Sequence, residues 1–257
     1  MNRAVLALLG ACAMAVSGVT GAADLAWVGR SNANAAPLLE VMARYQPETT
    51  ASLGVEGHDA DVFDLRPDYD RRFEADLGKV AAELESRIAA ESDPRVRQDL
   101  QILVGSARDQ VTSSELNRRL MLPYFDLPQA LFQGFNTLLD PRVGKERYPA
   151  ALARLRKYTG RAPGTEPIVQ LAQARMRERF ATPGLTGPWT VELEQALQNQ
   201  ARYQQGIREL FVASKLKGWE KDLRTLDSQL EAYAAWLRAE MLPRARASNR
   251  LPPEIYA

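Results

Sequence analysis

The sequence predicts an all-α fold, an array of antiparallel amphipathic helices, and three observations carry that prediction. Apolar residues recur in alternating steps of four and three along several segments, which lays them on one face of a helix. No segment alternates apolar and polar residues with the period of two that marks a half-buried strand. The composition, 46% hydrophobic but only 7% aromatic, is rich in Ala, Leu, Arg, Glu and Gln, residues that lose little side-chain freedom in a helix.

The chain opens with a leader. Arg3 is its basic start, Ala4 to Val19 its apolar stretch, and Thr20, Gly21, Ala22 and Ala23 a small-residue cleavage neighbourhood. The pattern is that of a secretory signal peptide over residues 1–23, cut near Ala22 or Ala23, and it predicts a periplasmic or secreted protein. The apolar run is shorter than the roughly 20 residues a bilayer needs, so no transmembrane span is expected after signal removal. Leu9-Gly10-Ala11-Cys12 resembles a bacterial lipobox, and a lipoprotein anchored through Cys12 is the alternative.

Residues 24–257 read as one helical domain, with no repeat of fixed period and no low-complexity linker. A helix is expected over 34–45. Tyr69, Phe73, Leu77, Val80, Leu84 and Ile88 form a stripe, Asp93-Pro94 supplies an N-cap and a first-turn residue, and Val96, Leu100, Leu103, Ala107 and Val111 form a second stripe. These two segments predict an antiparallel hairpin. Shorter helices follow over 127–139, 146–158 and 167–181, separated at Gly160 and at Thr182-Pro183-Gly184. Leu193, Leu197, Tyr203, Ile207 and Leu210 mark a long helix opening near Pro188. Trp219, Leu223, Leu226, Leu230, Tyr233, Leu237 and Met241 give the most regular stripe of all, ended by Pro243. Such stripes also suit a coiled-coil partner surface, but short connections let neighbouring helices pack on one another.

Composition excludes several chemistries. The chain holds one histidine, His58, and one cysteine, Cys12, which lies in the leader. It therefore lacks the residues for a Cys/His zinc site, a Cys-His dyad or the paired histidines of a helical H-E-x-x-H peptidase. The 33 basic and 32 acidic residues nearly balance, and loss of Arg3 with the leader makes them equal, so no electrostatic footprint for nucleic acid is present. Basic groups such as Arg175, Arg177 and Arg179 are interleaved with acids, as on a solvated helix face.

Individual motifs are weak. Ser214-Lys215-Leu216-Lys217 matches S-x-x-K without its companion motifs and reads as a helix boundary. Asp59, Asp61 and Asp64 are close in sequence, but a calcium loop starting at Asp59 needs glycine where Asp64 stands and a ligand where Phe63 stands. Glu83/Glu85 and Glu192/Glu194 sit two residues apart on helices and point in different directions. His58, with Gly57 before it and Asp59 after it, is placed on a loop where an imidazole could hydrogen-bond a ligand or orient a carboxylate; a structural histidine is the other reading.

Longer runs carry a family likeness. Gln46-Pro47-Glu48-Thr49-Thr50-Ala51-Ser52-Leu53-Gly54 with the Gly57-His58-Asp59 turn, Tyr124-Phe125-Asp126-Leu127-Pro128, Leu242-Pro243-Arg244-Ala245 and Arg250 to Ala257 resemble, in order, the bacterial DUF885 proteins. The resemblance implies a signal-bearing helical protein similar to zinc-dependent peptidases. It also implies that the family's histidine-and-glutamate element, of the HE-x-x-PGH kind, lies beyond the point where this chain stops, so the fold is expected to be an incomplete part of a larger peptidase-like fold.

No catalytic residue and no metal ligand carries over, no cofactor is expected in this chain, and zinc is expected only with the missing C-terminal half. The regions the resemblance offers as cleft walls are the Gly54–Asp59 turn and the Tyr124–Gln133 segment, with His58, Asp59, Tyr124, Phe125 and Gln133 as binding candidates. The expected function is a noncatalytic N-terminal scaffold and substrate-cleft wall, partnered by the missing half or another chain, with peptide as the substrate of the full-length family. The alternative is a self-sufficient periplasmic binding domain.

Overall fold

The computed structural model describes residues 20–53 and 55–256. The apolar leader, the Cys12 lipobox, Gly54 and Ala257 lie outside the described residues. Those residues form nine α-helices with no named strand, an all-α fold. None of the helices is long and apolar enough to cross a membrane.

The first helix, α1 (Thr20–Tyr45), begins well before the expected residue 34. Its early turns mix apolar Leu25, Trp27 and Val28 with small and polar residues, and tertiary contacts hold them. Ser31 Oγ donates to Asp99 (2.6 Å), Arg30 to Asp93 (3.1 Å), and Arg87 reaches the Asn34 side chain (2.8 Å). Packing rather than apolar periodicity makes this part helical.

The predicted hairpin is formed by α3 (Tyr69–Ile88) and α4 (Pro94–Leu120), following the six-residue α2 (Pro47–Ser52). Asp93 caps α4, its carboxylate accepting the Arg95 N–H at 3.0 Å, which satisfies one donor of the first turn. Phe73, Leu77, Val80 and Leu84 pack on Val96, Leu100, Val104 and Ala107, and Leu38, Val41 and Tyr45 of α1 complete a hydrophobic cluster. The helix α4 runs past the expected Val111 to Leu120, where Arg118 forks onto Glu74 of α3 at 3.0 and 2.9 Å.

A second cluster is built by α5 (Leu127–Leu139), α6 (Tyr148–Tyr158), α7 (Ile168–Arg177), α8 (Thr190–Ser214) and α9 (Glu220–Trp236). Every residue of the stripe from Trp219 to Met241 is buried. The α-helix itself stops at Trp236: Leu237–Met241 form a π-turn and Leu242–Arg244 a 3-10 turn. Pro243 supplies no N–H to the helical ladder, and the last turn before it opens. Between α6 and α7, Gly160 takes φ +70 with Pro167 Cδ 2.6 Å from where a Cβ would stand, so glycine is required there on both counts.

The apolar interior thus falls into two clusters rather than one seam. Bridging them is α2, which packs against α1 on one side and α5 on the other. The 121–126 segment is anchored to the loop before α8 by Leu122 N–H on Thr186 O (2.9 Å) and Thr186 N–H on Leu120 O (2.8 Å). At the chain's end Pro253–Ile255 form a 3-10 turn beside α4, with Leu251 and Ile255 half-buried and Tyr256 exposed.

Candidate functional site

Where the two clusters meet lies a cleft of about 630 Å³. Its walls come from the end of α1 (Tyr45), from α2 (Glu48, Thr49), from the 63–65 segment, from Tyr69, from Tyr124–Asp126 and from one side of α5. The sequence makes α5 two-faced. Leu127, Leu131, Phe135 and Leu138 are buried, while Gln129, Gln133 and Thr137, four residues apart, line the cleft. Asp126 caps this helix, accepting the Gln129 N–H at 3.2 Å, and Pro128 fits its first turn.

Glu48 is the unusual member. It is 9% exposed, its Oε1 accepts hydrogen bonds from the Tyr158 hydroxyl and from Phe63 N–H (3.1 Å), and its Oε2 has no partner among the described residues. Gly134 makes the space, since a Cβ there would stand 2.8 Å from Glu48 Cγ. Burial pushes the Glu48 carboxyl above the usual carboxylate range, against the opposing pull of the Tyr158 hydrogen bond and the nearby Arg154 charge. Arg154 is itself fully buried and donates only to carbonyls: Asp61 O (2.8 Å), Gly134 O (2.9 Å) and His58 O (3.4 Å).

The other cleft carboxyls are treated differently. Burial would raise Asp64, but hydrogen bonds from Arg66 and Arg72, at 2.6 Å to Oδ2 in both cases, hold it well below the usual range. Burial raises Asp126, the Glu192 charge adds to the effect, and no cation pairs with it among the described residues. The Tyr124 hydroxyl is buried without a partner among the described residues, and burial raises its pKa.

Of the residues singled out from sequence, Tyr124, Phe125 and Gln133 line this cleft, and Phe125 is fixed through its carbonyl, which accepts the Tyr233 hydroxyl at 2.8 Å. His58 and Asp59 do not line it. Asp59 is held by Arg147 at 2.7 and 2.6 Å, and the imidazole of His58 lies between Asp61 (Nδ1, 3.1 Å) and Glu40 (Nε2, 3.2 Å). Burial would lower the His58 pKa, but the hydrogen bonds to Glu40 and Asp61 raise it. The turn therefore clamps α1 to α6.

A zinc ion, which the resemblance associates with this class of protein, does not fit these residues. The two nitrogens of the imidazole face different carboxylates on opposite sides of the ring, so the three groups do not converge on one point. No group of three His, Cys, Asp or Glu among the described residues is placed to hold a metal ion.

The sequence does not mark Glu48 and Asp64 as cleft groups, whereas Asp126 lies within the Tyr124–Gln133 segment offered as a cleft wall. One signal for Glu48 was present: Gly134 stands inside an otherwise good helical pattern, and such a glycine marks a close approach.

The chain belongs to the DUF885 family, bacterial proteins of unknown function, whose family model matches residues 47–257. That match covers the whole cleft apart from Tyr45 and Gln46. No curated protein and no solved structure matches the chain.

Proposed function

We propose that this chain is the helical scaffold and peptide-binding wall of an exported, peptidase-like protein, and that it binds peptide without hydrolysing it. The observation that carries this reading is the cleft between the two clusters. Its volume of about 630 Å³ suits a few residues of extended peptide and lies in the ordinary range for ligand pockets. Five aromatic rings offer apolar walls, and Gln46, Gln129 and Gln133 offer amide donors and acceptors for a peptide backbone. The leader supports export.

Calorimetric titration of the purified chain with a mixed set of pentapeptides tests the reading, with Ala130→Trp as a plugged control. Ala130 lines the cleft from the half-buried side of α5, so an indole there fills the space. Saturable binding that the plug removes, with the peptides recovered intact, is the expected result. Absence of saturable binding, or equal binding by the plugged variant, overturns it.

A further inference from the structure

We infer that His58 is a pH-sensitive strap between α1 and the segment that runs into the cleft wall: as the imidazolium it bridges Glu40 and Asp61, and on losing its proton it lets Glu40 go. The strap is independent of what the cleft binds.

Hydrogen-bond geometry carries it. Nδ1 lies 3.1 Å from Asp61 Oδ2 and Nε2 lies 3.2 Å from Glu40 Oε2. A carboxylate only accepts, and a neutral imidazole has one N–H and one lone pair, so both contacts are hydrogen bonds only when the ring carries two protons. In the neutral ring one nitrogen turns its lone pair on a carboxylate oxygen. Burial lowers the His58 pKa, and the hydrogen bonds to Glu40 and Asp61 outweigh it. The cations around the turn are engaged elsewhere. Arg147 is held on Asp59, Arg44 of α1 on Asp76 (3.2 Å), Lys157 of α6 reaches the other oxygen of Asp61 (2.9 Å), and Arg154 of α6 meets the His58 carbonyl rather than its ring.

The two carboxylates are not equivalent. Asp61 shares the turn with His58, its N–H bonded to His58 O at 2.9 Å, and it keeps Lys157 when the ring is neutral. Glu40 comes from α1, is exposed, and has no other partner among the described residues. Water replaces the imidazole at Glu40 at little cost, so the remaining proton stays on Nδ1, facing Asp61. The bond that is lost is the one the ring makes to another element. Both of its ends lead to the cleft: α1 finishes at Tyr45, and the chain after Asp61 continues into Phe63, Asp64 and Leu65, all of which line it. The Asp64 N–H on Tyr45 O (3.1 Å) is a further tie between the same two pieces. Because the folded imidazole holds its proton more tightly than the unfolded one, the strap is complete below about pH 6.5 and is lost as pH rises through the folded midpoint.

The test uses the full chain without a histidine tag, so that isotope-labelled histidine gives one imidazole signal by NMR. The midpoint should lie above about 6.5 and fall in Glu40→Gln, and the neutral ring should carry its proton on Nδ1. Hydrogen exchange, compared between the two proteins at the same pH, reads the strap itself. Below the midpoint residues 55–63 should be about threefold better protected in wild type than in Glu40→Gln, a modest factor because the pair is open to solvent, and above it the two should match. Glu40 is exposed, so the variant keeps its fold. A midpoint at or below about 6.5, or one that Glu40→Gln leaves in place, overturns the imidazolium bridge. A neutral ring protonated on Nε2 overturns the release of Glu40. A protection gap that is absent below the midpoint, or that persists above it, overturns the strap.

Discussion

Arg154→Met should destabilise the protein by about 3 kcal/mol, and the structure shows where that figure arises. Arg154 is buried with no carboxylate in hydrogen-bond contact, and its three acceptors are carbonyls that outlast its removal. They are not orphaned equally. His58 O still accepts the Asp61 N–H at 2.9 Å, and Gly134 O lies within the α5 ladder. Asp61 O has no other donor among the described residues. The variant thus leaves one orphaned carbonyl, costing about 1–3 kcal/mol, and forfeits charge-assisted bonds worth about 1.5 kcal/mol or more each; relief from burying a charge offsets part of this. Methionine keeps most of the stem's packing, so cavity formation adds little. Urea titration with a common slope reads the difference, and Arg142→Met is the control. The Arg142 side chain is 88% exposed beside Asp140, and its loss should leave the urea midpoint close to that of the wild type. A shift at Arg154 below about 1 kcal/mol, or equal to the control, would refute the account of the buried clamp.

Leu230→Asp should cost roughly 4 kcal/mol or prevent folding, because Leu230 has no exposed surface, whereas Glu231→Ala on the exposed side should stay within about 0.5 kcal/mol; equal urea midpoints would show that the stripe is not core. Asp64→Asn should be pH-dependent in a stated direction. Arg66 and Arg72 hold the Asp64 carboxyl below its unfolded value, so its ion pairs stabilise the native state above about pH 3.9 and the contribution fades as pH falls further. The gap in melting temperature between wild type and Asp64→Asn should be full near neutrality and narrow in acid, and a gap that widens in acid would reverse the assignment.

Helices with an unbroken apolar stripe were legible in the sequence, and their limits show what periodicity measures. The stripe from Trp219 to Met241 is buried at every position, because one side of a long helix must face the core whatever its neighbours are. The start of α1 was not legible, since Ser31, Arg30 and Asn34 are helical through partners on α3 and α4 that no local window contains. The π-turn at Leu237–Met241 kept the same apolar spacing and so hid within it. The cleft was half legible. The Tyr124–Gln133 segment stood out as a motif, but the turn at His58 and Asp59 drew attention for its chemistry when its side chains are spent on Glu40, Asp61 and Arg147. Charge in sequence does not reveal which charges are already paired.

That distinction explains why Glu48 matters more to the cleft than the better-advertised histidine. A six-residue helix such as α2 is too short to persist unaided, so it exists because α1 and α5 grip it, and a purely packing role would be served by an aliphatic side chain at the bridge. The position instead holds a carboxyl, a costly group to bury, with the charge of the buried Arg154 nearby. Three separate elements accommodate it: the Tyr158 hydroxyl from α6, the Phe63 N–H from the connecting segment and the hollow left by Gly134 on α5. All three serve Oε1 or the side-chain stem, and none satisfies Oε2. A carboxyl supported on one oxygen and without a partner on the other among the described residues, at the boundary of two apolar clusters, is more than packing of α2 alone requires.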